Sequence, residues 1–244
     1  MGVEVLQSAS EIDHARTELN RRGLFSLTSP SRGQRILQKV GLVKGIAVGD
    51  YRKSWDVLRT ATFITARVQR NAPILDVGAY ASELLCVLHR LGYTNLTGID
   101  VNPHVRRMPY AGAIRYEVSD IMHTSFQKES FEIITAISVI EHGFNTQALL
   151  AEISRFLRPG GYFIASFDYW PVKVETTGIR LFGTTWTVFS QQEVLALLDQ
   201  AREYHLTPNG EITLTAREQT IHYADRNYTF AWMALRKDRA QSSD

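Results

Sequence analysis

The residues of this chain best placed to do chemistry are acids and small residues that follow short apolar runs. The first such stretch is Asp76-Val77-Gly78-Ala79-Tyr80-Ala81-Ser82. There Gly78 lets the backbone approach a ligand closely, and Ser82 is placed to cap a following helix. Asp100 follows the next run, and its carboxylate can accept both hydroxyl hydrogens of a ribose in charge-assisted bonds. Asp120 follows a third run, and Ser138 to His142 a fourth. Acids at strand ends often do no more than cap the next helix. Four polar stations in this order and spacing point to a nucleoside ligand.

These stations need a scaffold that aligns them. After Asn71 the chain alternates short apolar runs with amphipathic stretches. Pro73 to Val77, Asn95 to Ile99, Ala113 to Val118, Phe131 to Ser138 and Tyr162 to Phe167 read as strands. Leu84, Leu85, Leu88 and Leu91 mark one helix between them; Leu149, Leu150, Ile153, Phe156 and Leu157 mark another that stops at Pro159-Gly160-Gly161. This rhythm implies an α/β fold with a parallel sheet and helices on both faces. The last third departs from it. Ser190 and Glu193 form a capping box ahead of Val194, Leu195, Leu197 and Leu198. Strands are expected near Glu203 to Thr207 and Tyr228 to Leu235, and the long polar separation between them suggests an excursion or an extra hairpin.

Residues 1–70 read differently. Ser8 and Glu11 stand in capping-box spacing ahead of Ile12, Ala15 and Leu19, and Val57, Leu58, Ala61, Ile64 and Val68 recur at helical intervals. Loops are expected at 28–33 and 41–49. The expectation is a helical N-terminal extension on a domain spanning 71–244. The extension is basic: residues 1–71 hold 12 Lys or Arg against 6 Asp or Glu, so the net charge of +2 hides a −4 remainder. The charges are interspersed with apolar residues, the pattern of solvated helix faces rather than of a nucleic-acid surface.

With 44% apolar and 21% charged residues, the 244-residue chain has the composition of a globular protein able to bury a sizeable core. Its single cysteine, Cys86, excludes an intramolecular disulfide. No apolar run is long enough to span a bilayer, and residues 1–30 carry no basic-then-apolar leader pattern, so the expected location is cytoplasmic.

The motifs Ile74-Leu75-Asp76-Val77-Gly78, Gly98-Ile99-Asp100, Ser119-Asp120-Ile121, Ile137-Ser138-Val139-Ile140-Glu141-His142 and Phe156-Leu157-Arg158-Pro159-Gly160-Gly161, in this order, resemble the class I S-adenosylmethionine-dependent methyltransferases. The resemblance covers roughly residues 70–240. It implies a Rossmann-like, seven-stranded, mostly parallel sheet whose last strand runs antiparallel, and S-adenosylmethionine as cofactor. It also implies that Asp76 and Gly78 flank the methionine moiety, with Ala79 and Tyr80 of the same loop in contact with the cofactor. Asp100 would hold the ribose and Val101 pack near the adenine; Asp120 would accept from the adenine amine with Ile121 beside it, and the Ser138 backbone would face the methionine amine. The family pattern has glycines where this chain has Tyr80 and Ser82. A left-handed backbone at either would cost about 1–2 kcal/mol, so the loop either carries strain there or has changed shape.

Methyl transfer asks the protein to hold a nucleophile in line with an already activated methyl, and a hydroxyl acceptor also benefits from a general base. His142 is the leading candidate, because an unperturbed imidazole titrates near neutrality; Asp168, ending its strand in the same cleft, is the second. The segment 168–189 occupies the place of a substrate lid. There Tyr169, Trp170, Phe182 and Trp186 could stack on an acceptor, while Lys173 and Arg180 could meet an anionic group. The stretch Asp50 to Trp55 could fold over the cofactor. No acidic pair or His cluster has metal-ligand spacing, so no metal is expected. The favoured acceptor is a small molecule, a hydroxyl of a sugar or natural-product precursor. The alternatives are a degenerate, non-catalytic binding subunit, motivated by Tyr80 and Ser82, and an RNA methyltransferase, motivated by the basic N-terminal segment. The Asn-Pro-Pro-Tyr motif of enzymes that methylate nucleic-acid amines is absent.

Overall fold

A computed structural model of the chain describes residues 2–24, 46 and 48–239; the loop expected at 28–33 and most of that at 41–49 lie outside the described residues. The chain opens with strand Val3–Val5 (β1) and helix Ala9–Arg21 (α1). Ser54–Thr65 (α2) precedes the alternating series Ile74–Val77 (β2), Leu84–Arg90 (α3), Leu96–Asp100 (β3), Arg115–Val118 (β4) and Phe131–Ile137 (β5). Thr146–Phe156 (α4) leads directly into the long strand Leu157–Tyr169 (β6). A small hairpin, Arg180–Leu181 (β7) and Thr184–Thr185 (β8), comes before Gln191–Glu203 (α5), and Leu206–Pro208 (β9), Ile221–Tyr223 (β10) and Arg226–Lys237 (β11) close the fold.

The main path of the sheet has the order β1-β11-β6-β5-β2-β3-β4. Pairing is parallel from β4 to β6 and antiparallel at β11. Helices cover both faces, so the central strands are apolar throughout rather than alternating. Ile74, Ile133 and Ile164 face α1, α2 and α3; Leu75, Ile134 and Phe163 face α4 and α5. From β2 the chain steps outward through β3 and β4, then returns to build β5 and β6 on the other side. That reversal, between β2 and β5, opens a crevice beyond the carboxyl ends of the strands, the usual ligand position in such sheets.

Several local expectations are corrected. Val3–Val5 is a strand, not part of a helical pattern: three residues carry too little periodicity to read, and the pairing Val3↔Met233 and Val5↔Ala231 is what buries both valines. Beside it, β10 and β9 pair with the two ends of β11, so three short segments share its outer edge. Ser8 caps α1 by position alone. Its hydroxyl bonds to Ser10 Oγ at 2.7 Å, and no capping box with Glu11 forms. The box at Ser190 and Glu193 does form. Pro159-Gly160-Gly161 lies inside β6 rather than ahead of it, and a register shift between Phe131 and Ile133 absorbs the irregularity. The long excursion after β9 ends in the tight hairpin β10–β11, turned by Ala224 and Asp225 at φ 48° and 56°.

Candidate active site

Two glycines let the loop after β2 sit tightly against the sheet. Gly78 has φ +76°, and a β-carbon there would overlap the Val139 side chain. A β-carbon on Gly98 would meet Ala79, Leu85 and Tyr116 within 2.9 Å. The amides of Gly78 and Ala79 both donate to the Ile99 carbonyl, at 2.9 and 3.0 Å. The absent glycines have not left strain at Tyr80 or Ser82. The left-handed residue is Ala81, at φ 62°, so the loop has changed shape and carries its cost of about 1–2 kcal/mol at one small residue. Neighbours hold Ala81 there: its carbonyl accepts from Gly49 N at 2.7 Å and its amide donates to Met108 Sδ at 3.3 Å.

Asp100 joins two loops. One carboxylate oxygen accepts from the Tyr80 amide at 3.0 Å, the other from the Asn102 amide at 2.7 Å. Each oxygen keeps a further lone pair for a ligand hydroxyl. Beside it, Val101 is 70% exposed, an apolar side chain left open. Asp120 is half-exposed; it accepts from the Met122 amide at 2.9 Å and faces His123 Nδ1 at 3.3 Å, while Ile121 is buried. Asp76 is buried, with one oxygen accepting from Thr135 Oγ1 at 2.6 Å and the other unpartnered. Burial pushes its carboxyl up to about 7. Ser138 has φ 54°, its amide donates to the Ser166 carbonyl, and its hydroxyl is buried without a partner.

Beyond Ser138 the site becomes charged and buried. Asp168 Oδ2 accepts from Trp186 Nε1 at 2.7 Å, and Lys53 Nζ stands 3.9 Å from Oδ1. Lys53 also lies 3.8 Å from Asp56 Oδ2 and 3.3 Å from the centre of the Phe230 ring. Asp56 accepts from Ser166 Oγ at 3.0 Å. Burial pushes Asp56 up to about 6, and Glu141, buried near Asp168 and Asp56, well above the carboxylate range. Asp168 is raised by burial too, but Lys53, Trp186, Tyr228 and Arg52 all pull it back. His142 is pushed down to about 4 by burial and by Lys53, so it is neutral at pH 7; its Nδ1 is buried without a partner and its ring meets Phe182 edge-on.

The segment expected to form a lid divides. Trp186 is buried against Tyr228 and Asp168. Trp170 is partly buried against the core. Tyr169 points to the opposite face of the sheet, wholly buried, its hydroxyl donating to the Leu214 carbonyl at 2.6 Å; alternation along β6 sends Asp168 to the cleft and Tyr169 away. Lys173 is held by Glu193 at 2.8 Å and is not free for an anionic ligand. The hairpin β7–β8 turns at Phe182 and Gly183, which leaves Phe182 89% exposed above His142. The Asp50 to Trp55 stretch lies beside the loop after β2. Arg16 Nη2 accounts for much of this, donating to Glu83 at 2.8 Å and to the Asp50 carbonyl at 3.4 Å.

Sequence reading missed the roles of Lys53, Asp56 and Glu141. One signal was present: Lys53, Asp56 and Thr60 recur at helical spacing beside the apolar stripe of α2, an unusual place for charge. Among the described residues no three His, Cys, Asp or Glu side chains could hold a metal ion. A surface groove of about 990 Å³ lies at the other end of the sheet, near Lys128, Pro159 and His205, and contains none of these stations.

A family model described as a methyltransferase domain matches residues 75–165, the span that carries the stations from Asp76 to Ser138. These residues therefore carry a methyltransferase domain, with the motifs of the class I S-adenosylmethionine-dependent kind. It is 27% identical over 127 residues to a sterol 24-C-methyltransferase of Neurospora crassa, a match that takes in 47% of this chain and 34% of that protein. The chain thus spans about a third of the length of that curated relative. Among solved structures, geranyl diphosphate C-methyltransferase from Streptomyces coelicolor, bound to S-adenosyl-L-homocysteine, superposes with TM-score 0.54 at 16% identity, over 78% of this chain and 84% of that one. The [4+2]-cyclase SpnF superposes with TM-score 0.57 at 15% identity over 98% and 99%. Such likeness speaks for the fold.

The cofactor of such a domain is S-adenosylmethionine, and the residues present fit it. Asp100 has lone pairs to spare for hydroxyls such as a ribose carries, Val101 is an open apolar surface, and Asp76 and Ser138 each hold a buried oxygen without a partner. Among the described residues, no helix is long and apolar enough to cross a membrane.

Proposed function

We propose that this chain transfers a methyl group to a small-molecule acceptor, at a hydroxyl of a sugar or natural-product precursor. The observation that carries the proposal is the sequence of stations along one crevice, from the Asp100 carboxylate held by two loops to the buried Asp168 on the adjacent half of the sheet. When bound, the cofactor supplies a methyl group on a positively charged sulfur, already activated for displacement. The chain's task is then to orient the acceptor and to take its proton.

Asp168 takes that proton in this reading. An effective base has an affinity for protons matched to the working pH. His142, pushed down to about 4, falls short of that, whereas burial raises Asp168 towards it. Asp168 would accept the proton that the acceptor hydroxyl gives up on methylation, while the methyl–sulfur bond breaks and S-adenosylhomocysteine leaves. His142, neutral beneath Phe182, shapes the wall of the acceptor chamber. Trp186 fixes Asp168 by its indole hydrogen bond.

A second reading, methylation at carbon, is favoured by the activities named for the sterol and geranyl diphosphate relatives. Incubation with S-adenosylmethionine and a panel of hydroxylated and olefinic acceptors, read by homocysteine-product release and by the mass and position of the added methyl, separates the two. A methyl ether supports the first reading and a new carbon–carbon bond the second. No detectable binding of either cofactor form would sink both and favour a non-catalytic role.

A further inference from the structure

Two polar residues of α2, and Lys53 at its N-cap, meet the sheet in register. Thr60 Oγ1 accepts from Trp232 Nε1 at 3.0 Å, Asp56 Oδ2 from Ser166 Oγ at 3.0 Å, and the Lys53 ammonium sits between Asp168 and the Phe230 ring. Their partners are themselves paired across the sheet, Trp232 with Ser166 and Phe230 with Asp168. A ladder of helix polar groups therefore lies over a ladder of strand polar groups. Its end enters the acceptor chamber.

Three carboxyls converge there, all at least nine-tenths buried: Asp56, Glu141 and Asp168. Asp56 Oδ1 and Glu141 Oε2 have no hydrogen-bond partner. Lys53 stands at 3.8 and 3.9 Å from Asp56 and Asp168, too far for a hydrogen bond to either, so its charge is shared. Three buried carboxylates beside one ammonium cannot all remain ionised, because each uncompensated buried charge costs several kcal/mol. Asp168 is the best supplied, with Lys53 and Arg52 near it, Trp186 donating and Tyr228 beside it. Glu141 has an unpartnered oxygen and faces two other acids.

We infer that Lys53 is a positioning residue that keeps Asp168 ionised while Glu141 carries a proton, so that the N-terminal helix α2 sets the chemistry of the acceptor chamber. The inference rests on the methyl-transfer reading for its purpose, though not for its test. In this arrangement the cluster presents one carboxylate able to accept a proton and one neutral carboxyl able to donate a hydrogen bond. The groups that face Asp168 are Lys53, Arg52 and Asp56 from the N-terminal side, Glu141 from the loop after β5, Trp186 from the lid, and Tyr228 from β11.

The test is carboxyl carbon NMR of the full chain labelled with ¹³C at Asp and Glu side chains, titrated from pH 4 to 9, with Asp168→Asn and Glu141→Gln providing assignments. The expected result is Glu141 protonated and Asp168 ionised at pH 7. Lys53→Met should raise the Asp168 midpoint by about one unit or more, a tenfold gain in proton affinity, and Lys53→Arg should leave it near the wild-type value. An ionised Glu141 at pH 7, or an Asp168 midpoint unmoved by Lys53→Met, overturns the inference. Should Lys53→Met not fold, the wild-type titration decides alone. S-adenosylhomocysteine binding, measured on the same samples, fails separately if the methyl-transfer reading is wrong.

Discussion

The two halves of the crevice are built in opposite ways. At the end proposed to hold adenosine, Asp100, Asn102 and Asp120 are partly exposed, and much of their bonding is to backbone amides two residues further along. At the end proposed to hold the acceptor, the charges are buried and their partners are distant in sequence: Asp56 and Ser166 are 110 residues apart, Asp168 and Trp186 18. The first half is a series of local turns placed on strand ends, which any chain with the right short motifs can form. The second exists only once the whole domain has packed.

Several substitutions would break or sharpen that contrast. Asp168→Asn should leave S-adenosylhomocysteine affinity near wild type and lower turnover by about 10²–10⁴-fold, the range for loss of a general base, once an acceptor is in hand. An equal loss of cofactor affinity would show that the two halves are not separable. Gly78→Ala tests the hinge between them. A left-handed backbone and overlap with Val139 together should cost about 2–4 kcal/mol in urea denaturation, with weaker cofactor binding besides.

Asp76 gives a pH test at the boundary of the two halves. Its carboxyl titrates near 3.9 in an unfolded chain and at about 7 in the folded one, so folding favours the protonated form. The stability it contributes is fully present below about pH 4 and is lost as pH rises through about 7. Asp76→Asn removes that dependence. Relative to wild type it should gain stability, on the order of a few kcal/mol, between pH 4 and pH 8 in urea midpoints. A constant difference across that range would mean that Asp76 is paired when ionised. The smallest effect is expected at Lys173, whose exposed ion pair with Glu193 should be worth less than about 0.5 kcal/mol; Lys173→Ala should leave both stability and turnover nearly unchanged.

The same contrast explains what could be read from the sequence. The succession of strands and helices, and the positions of Asp76, Gly78, Asp100, Asp120 and Ser138 at strand ends, follow from apolar runs and the residues that end them. Alternation along β6 could also have been read: it separates Asp168 from Tyr169, and the assignment of Tyr169 to the cleft ignored it. The role of Lys53 had no such local signature, because its partners on β6 and β11 are named only by the register of two antiparallel strands. The strand Val3–Val5 was hidden for a related reason, since its burial is decided by pairing with residues near the other end of the chain. The loop after β2 lay between these cases. Its missing glycines were legible, but the transfer of the left-handed conformation to Ala81 depends on Gly49 and Met108.

Calorimetric titration of the full chain and of Asp100→Ala with S-adenosylhomocysteine bears most directly on the crevice itself. The expected result is one site per chain, with affinity reduced about 10²-fold in the variant and the melting temperature little changed, since two charge-assisted hydrogen bonds to the ligand are lost. Equal affinity in the two proteins would contradict the placement of the nucleoside at the end of β3, and with it the order of stations on which the methyl-transfer reading depends.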